Sequence, residues 1–563
     1  MSDDTEPTTE EYGQTEWPLR PWVLALMLAI AGLLVHLFTY EADGDPWRMA
    51  FTAAVIFGSL AAAFTLSDKL WIPAQAIYST LVALVMGGIA WRAASAGDRY
   101  SDAGFWVAAG VLAIILSLPL FQAGFHRLRW KTSYKATHFH VWTDAITGAG
   151  AFAFVGLSWA LLAVLAELFK VIRIELLSDL IDEGWFAWMF SGAAFGAALG
   201  VLRNQLKIIG TLQNVVLLVL SILAVPLAVA LVIFLLAVLV SGLDVLWEAT
   251  SSATPLLLAI AVGCFVLTNA VVRDDDEEAS NSRILRIAGF VLAVGILPLA
   301  MMASISMGTR IAQHGLSPER LWALIAIAVA VAYGVAYFVS AIRGRKEGWR
   351  DFLRRSNLHL AVLTGGIALL LALPIFNFGS ISASNQIARL DAGKVSVEDF
   401  DYAALRWDFG EAGRAALERL AEREGEIGTE AQAALDETIR SYRWRETKPS
   451  ERRENIRVQS DDPVWEERIR AQLQGSSWSC DTPCFALDFG TNEDGDRVIK
   501  VIEGQGVGNW LIKPQDSDYR LEREYRSRPP MEGRLGRESE VEIREWTGRR
   551  IYIDGEPVGE PFE

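Results

Sequence analysis

The sequence has few cysteines, a deficit of basic charge and none of the short motifs that mark common enzymes. No Walker loop, dinucleotide fingerprint, nucleophile elbow or zincin helix occurs anywhere in it, which removes the easiest enzyme classes. Its 51 Lys and Arg face 67 Asp and Glu, a formal net charge of −16. A nucleic-acid partner needs a basic face to meet phosphate and is not expected. Of three cysteines, Cys264 lies in an apolar run and reads as a small buried hydrophobe, whereas Cys480 and Cys484 stand together in a polar stretch. Residues 1–20 are acidic and lack the positively charged start of a cleavable signal. The first apolar run is therefore expected to be a retained span.

Long apolar runs are what the chain has in abundance. Hydrophobic residues make up 52% of it, mean hydropathy is +0.27, and the apolar residues are concentrated rather than scattered. A helix of about 20 such residues crosses the roughly 30 Å of hydrocarbon with every backbone group bonded internally. Eleven spans are expected, at residues 21–39, 47–66, 74–91, 105–122, 146–168, 185–202, 213–240, 254–272, 284–306, 319–342 and 358–378. Pro226 near the middle of the seventh leaves two readings open, one kinked helix or two half-helices. Basic residues in short loops resist translocation. The N-terminal tail and the even-numbered loops hold about 17 Lys and Arg against about 7 in the odd-numbered ones. The N-terminus is thus expected in the cytoplasm and the C-terminal part outside it, in the periplasm of a bacterial inner membrane.

After residue 378 the composition turns charged and polar, enough for one domain or two small ones. Residues 411–423 and 429–442 place Ala and Leu at helical spacing among Glu and Arg, a helical hairpin, and 464–473 form a further candidate helix. From Cys484 the pattern changes to short alternating segments, CFALDFG, RVIKVIEG, GNWLIKP and RRIYIDGEPVG, which read as strands. Asp554-Gly555 is a type I′ hairpin signal, and 526–540 reads as a loop. The expected fold class is an α-helical polytopic membrane bundle with a C-terminal soluble α+β extracytoplasmic region. Its expected divisions are an acidic cytoplasmic tail (1–20), the transmembrane bundle (21–378), a helical extracytoplasmic segment (379–478) and a small β-rich domain (479–563).

Most candidate site residues have a plain structural explanation. Gly192, Gly196 and Gly200 recur every four residues in the sixth span, a stripe that lets another helix approach closely. His36, Glu167, Asn269 and Asn377 lie near span ends, where a polar group reaches the interface more cheaply than at the bilayer centre. His126, His138 and His140 fall among Arg127, Arg129, Trp130 and Lys131 in the loop before the fifth span. A His-x-His pair without a third close ligand is a weak metal signal, and an interfacial segment on anionic headgroups explains the loop better. The acidic run 274–278 reads as a solvated loop rather than a catalytic carboxylate pair. Cys480 and Cys484, four apart and on the external side, read as a local disulfide. Ser317, Pro318 and Glu319 form a helix start, as cap, first residue and first-turn acid. No catalytic residue, metal or cofactor is assigned.

Two stretches resemble a family of bacterial multi-pass membrane proteins, the domain of unknown function 4153. One is RIAQHGLSPER at 310–320, similar to the family's arginine, aromatic-Gly-Leu-Thr turn and second arginine; the other is NFGSISASNQIARL at 377–390. The chain departs from the pattern with His314 in place of tyrosine and Ser317 in place of threonine, both still polar. The resemblance reaches from the membrane part to about Arg423 and leaves out the tail from Cys484. It implies architecture rather than an activity, and its matched positions are Arg310, Gly315, Arg320, Asn377 and Asn385.

Three function classes stay open. The leading one is an envelope scaffold or sensor whose external domain binds envelope proteins or glycans, with the lipid bilayer as its other partner. The second is a transporter or lipid-handling protein using an interrupted seventh span. The third is a membrane-embedded transferase acting on envelope lipid or glycan, with Arg310 and Arg320 holding a phosphate. A lateral cleft lined by Arg310, Arg320 and Asn377 is the feature that would favour the third.

Overall fold

The computed structural model describes residues 17–40, 44–66, 72–96, 102–242, 253–276, 282–344, 348–437, 455–475, 480, 483–492, 495–503, 506–515, 518–524, 549–553 and 556–562. The sequence features at 277–278, 438–442, 481–482, 526–540 and Asp554-Gly555 lie outside them. Two compact units result, residues 1–440 and 441–563.

Among the described residues, the first unit contains eleven helices long and apolar enough to cross a membrane. They are α1 (Arg20–Thr39), α2 (Pro46–Thr65), α3 (Ile72–Ala96), α4 (Ala103–Gln122), α5 (Tyr134–Val171) and α6 (Gly184–Asn204), then α7 (Leu206–Ser241), α8 (Ala253–Val272), α9 (Arg283–His314), α10 (Pro318–Arg343) and α11 (Trp349–Ala372). Large side chains such as Trp22, Val171, Leu239 and Val240 are more than 70% exposed on these helices. In water such a surface would be an aggregation hazard, whereas in lipid it is solvated.

The helices differ from the sequence reading in three places. α5 begins at Tyr134, twelve residues before the expected span, so His138 and His140 lie on a helix and not in an interfacial loop. Its 38 residues reach about 57 Å, well beyond the hydrocarbon thickness. Hydropathy marks only the lipid-filled part of such a helix, which is why the polar first turns escaped it. α7 is one unbroken helix with Pro226 inside it, so the two-half-helix alternative falls. The last span stops at Ala372, and Asn377 begins a new helix instead of closing that span.

Packing between spans follows small residues. Along the interface of α1 with α6, a Cβ on Gly192 would meet the Leu28 carbonyl, one on Gly196 the Leu24 carbonyl, one on Gly200 the Pro21 backbone, and one on Gly32 the Trp188 carbonyl. Four glycines therefore bring two backbones into direct contact, the close approach that compensates for the missing hydrophobic drive between helices in lipid. α7, α8, α9 and α10 share a second core built on Ala224, Leu257, Cys264, Leu292, Leu299 and Tyr337. α3, α4 and the end of α11 share a third around Met86, Trp106 and Ala372.

After α11 the chain forms a small helical platform: α12 (Phe378–Asp391), α13 (Tyr402–Trp407), α14 (Gly410–Ala421) and α15 (Glu426–Asp436). Leu390, Phe400, Leu405, Phe409, Leu417, Leu420 and Ala431 make its core. The expected hairpin is present as α14 and α15.

The second unit contains a five-stranded sheet, ordered β1-β2-β3-β4-β5. Its strands are β1 (Ile456–Gln459), β2 (Cys484–Thr491), β3 (Arg497–Glu503), β4 (Gly506–Gln515) and β5 (Asp518–Glu524). β1 pairs parallel with β2 and the other neighbours are antiparallel. Helix α16 (Pro463–Gly475) packs Ile469 and Leu473 into the sheet core with Ile456, Ile499 and Ile512. β1 and α16 thus belong with the sheet, which places the unit boundary near 440 rather than at 479. β6 (Arg549–Ile553) and β7 (Glu556–Phe562) form a separate two-stranded pair. Neither β1 nor β5 was expected from the sequence, because β1 (IRVQ) is only four residues long and β5 (DYRLERE) is mostly charged.

Cys480 and Cys484 are joined by a disulfide. Asp488 is 2% exposed at its side chain. Burial by itself would raise its pKa. Arg497 outweighs this with a two-pronged contact at 2.7 and 2.6 Å, helped by the Ser460 hydroxyl and the Gly490 N–H, so the carboxyl is held below its ordinary value.

Candidate functional site

One end of the bundle carries the turn between α9 and α10, and the platform sits against it. α9 ends at Gly315, whose φ of +73° suits glycine, and its N–H bonds back to the Ile311 carbonyl at 2.8 Å. Ser317 then caps α10, its hydroxyl accepting from the Arg320 N–H at 3.3 Å, with Pro318 following. A turn this tight leaves the last carbonyls of α9 without helical partners.

Side chains from α12 and α10 satisfy all of them. Arg389 donates to the Ala312 and Gln313 carbonyls at 3.0 and 2.7 Å. Gln386 donates to the carbonyls of His314 and Leu316 at 2.8 and 2.9 Å. Arg320 donates to those of His314 and Gly315 at 3.2 and 2.8 Å. Asn385 accepts the Leu316 N–H at 2.9 Å. A Cβ on Gly315 would sit 2.7 Å from both Arg389 and Gln386, so glycine also makes room for the clamp.

The matched positions therefore separate by role. Gly315, Arg320 and Asn385 meet in this one junction. Asn377 stands at its edge as the cap of α12, accepting from the Ser380 N–H at 3.0 Å. Arg310 lies one turn earlier on α9, half-buried, with no hydrogen-bond partner among the described residues. Gln386 and Arg389 were not singled out from the sequence. Arg389 follows Asn385 by four residues and Gln386 by three, which brings it onto the same side of α12 as each of them and was the available signal.

The same device recurs at other helix ends. Arg354, on α11, donates to the Val272 and Arg273 carbonyls that finish α8 and also meets Asp276 and Asp351. Arg20 donates to the Arg203 carbonyl at the end of α6, and Arg92 to the Ala372 carbonyl at the end of α11. Each arginine brings a positive charge to the negative end of a helix that belongs to another part of the chain. Arg203 itself pairs with Asp144 of α5 at 2.8 Å, both nearly buried.

At the opposite end from the platform a closed ring of side chains joins three spans. The Asn269 amide donates to the Tyr337 hydroxyl at 2.7 Å, that hydroxyl donates to the Asn357 carbonyl oxygen at 2.8 Å, and the Asn357 amide returns to Asn269 at 2.6 Å. Tyr134 of α5 adds a fourth member at 3.3 Å from Asn357. Asn269 thus turns inward, contrary to the expectation that it reaches the interface. His138 is buried beside this ring and accepts from the Trp142 indole N–H at 3.1 Å. No group of three or more His, Cys, Asp or Glu suited to a metal lies among the described residues. Glu167 pairs with Lys170 on an exposed helix end, and His36 packs on Tyr40.

Beside the platform junction lies a cavity of about 500 Å³, lined by Leu84, Val85, Gly88, Ile89, Trp91 and Arg92 of α3 together with the end of α11 and Glu411 of α14. It is not lined by Arg310, Arg320 or Asn377, the residues expected to frame a cleft. Arg92 stacks 3.4 Å over the Trp106 ring and is fixed in place by that contact and its bond to Ala372.

Residues 51–420 match the family described as Domain of unknown function (DUF4153). No curated protein and no solved structure matches the chain. The family match spans about two-thirds of the sequence, from α2 to α14, and the chain belongs to that family.

Proposed function

We propose that this DUF4153 member is an envelope scaffold or sensor of a bacterial inner membrane, with its platform and sheet unit in the periplasm and its N-terminus in the cytoplasm. The observation that carries this reading is the clamp of α12 on the α9–α10 turn. Four side-chain donations from Gln386 and Arg389 of α12, to the carbonyls of residues 312, 313, 314 and 316, fasten the platform to the membrane bundle. An enzyme loop or gate draws on weakly held segments, whereas a presented binding surface or a transmitter of strain gains from a rigid joint. The excess of basic residues at the end away from the platform, and a disulfide in the second unit, agree with that orientation.

The competing readings lose their specific supports. Transport rested on an interrupted seventh span, and α7 is continuous. Phosphate capture rested on a cleft lined by Arg310, Arg320 and Asn377, and the cavity beside the platform is lined by none of the three.

The test is photocrosslinking in living cells from Glu418, an exposed residue of α14, against a control at lipid-facing Val240. A discrete adduct with an envelope protein or glycan from position 418 alone supports the proposal. Lipid adducts only, or none, overturn it.

A further inference from the structure

The cavity beside the platform is amphipathic in a direction that matches the bilayer. Its floor is Leu84, Val85, Gly88 and Ile89, within the span of α3, and its rim is Arg92, Ser95 and Glu411, where α3 and α11 end and the platform begins. Trp91 stands 54% exposed at the same level, the usual place of an interfacial aromatic. The rim carries a cation and an anion. Arg92 is held by Trp106 and Ala372, while Glu411 has no hydrogen-bond or ion-pair partner among the described residues.

We propose that this cavity binds one phospholipid with an ethanolamine headgroup. Its phosphate lies against the Arg92 guanidinium, its primary ammonium donates to the Glu411 carboxylate, and one acyl chain follows the Leu84–Ile89 face. A guanidinium fork suits phosphate. A carboxylate beside it accepts a charge-assisted hydrogen bond from an ammonium, only a neutral and weaker one from a glycerol hydroxyl, and none from a quaternary choline nitrogen. Gly88 provides the space, since a Cβ there meets nothing within 4 Å. Because Glu411 belongs to the platform and Arg92 to the bundle, the lipid bridges the two. This inference stands apart from the scaffold or sensor reading, which depends on a macromolecular partner.

Native mass spectrometry of the full-length protein tests it, using equimolar phosphatidylethanolamine, phosphatidylglycerol and phosphatidylcholine. The wild type is expected to retain one phosphatidylethanolamine in preference to the others. Glu411→Gln, at an exposed position, is expected to cut that preference about tenfold, the value of one charge-assisted hydrogen bond. Gly88→Leu fills the cavity from open space and is expected to remove the tightly held lipid while thermal stability stays at the wild-type level. The proposal is overturned if the wild type shows no preference for phosphatidylethanolamine, or if both variants keep the wild-type pattern. Loss of lipid binding leaves the crosslink from position 418 as a separate readout, so the two proposals can fail independently.

Discussion

Replacing Gly196 by alanine adds one methyl group at the point where α1 and α6 touch backbone to backbone. The new Cβ would overlap the Leu24 carbonyl oxygen and lie 2.5 Å from the Leu24 carbonyl carbon and 2.8 Å from the Ala25 nitrogen. All of these are main-chain atoms and cannot rotate away. Restoring ordinary contact needs the helices to part by roughly 1 Å, and a gap of that size forfeits a quarter to a half of the dispersion energy along the seam. Overpacking of this kind costs about 1–3 kcal/mol. Alanine returns up to about 1 kcal/mol through its better helix propensity, so the net destabilisation is roughly 0–2 kcal/mol, and about 1–3 kcal/mol relative to a glycine-to-alanine change that meets no clash. Gly156→Ala is the matched control, because nothing lies within 4 Å of a Cβ there. Steric trapping in bicelles measures both variants on one scale. Equal stability of Gly196→Ala and Gly156→Ala would refute the argument that the glycine stripe exists for close packing.

Three further outcomes are expected. In a double-mutant cycle, Asn357→Leu and Tyr337→Phe should show a coupling of about 0.6–1.7 kcal/mol, the range for hydrogen bonds between spans; additive effects would mean the ring is not a unit. Gly315→Ala forces a side chain into positive φ and against Arg389 and Gln386, so limited proteolysis should cut the platform faster while cuts in the sheet unit keep their wild-type rate; an unchanged pattern would count against the clamp. Asp488 has a folded pKa below its unfolded value of about 3.9, so its contribution to stability is present above that pH and is lost as pH falls through the folded pKa. Hydrogen exchange of β2 and β3 in the full chain should therefore accelerate in Asp488→Asn relative to wild type at pH 7, with the difference shrinking as pH falls through the folded pKa; a difference that persists undiminished in acid would contradict the role given to its charge.

The sequence alone was enough for whatever depends on neighbours along the chain. Eleven spans follow from apolar runs long enough to bond their own backbones across hydrocarbon. The Ser317 cap, the α14–α15 hairpin and strands β2 to β4 follow from residue type and period, whereas Asn377, expected at the close of the last span, instead caps α12. The glycine period in α6 announced a close neighbour, though not that α1 is that neighbour. Only the tertiary structure decided which distant groups meet. Asn269, Tyr337 and Asn357 close a ring across 88 residues, Arg389 reaches carbonyls 76 and 77 positions away, and Arg92 and Glu411 line one cavity. A side chain inside a membrane bundle must find its hydrogen-bond partners within the protein, since lipid supplies none. Period and propensity reveal that such a need exists, but only the packing of helices remote in sequence determines what satisfies it.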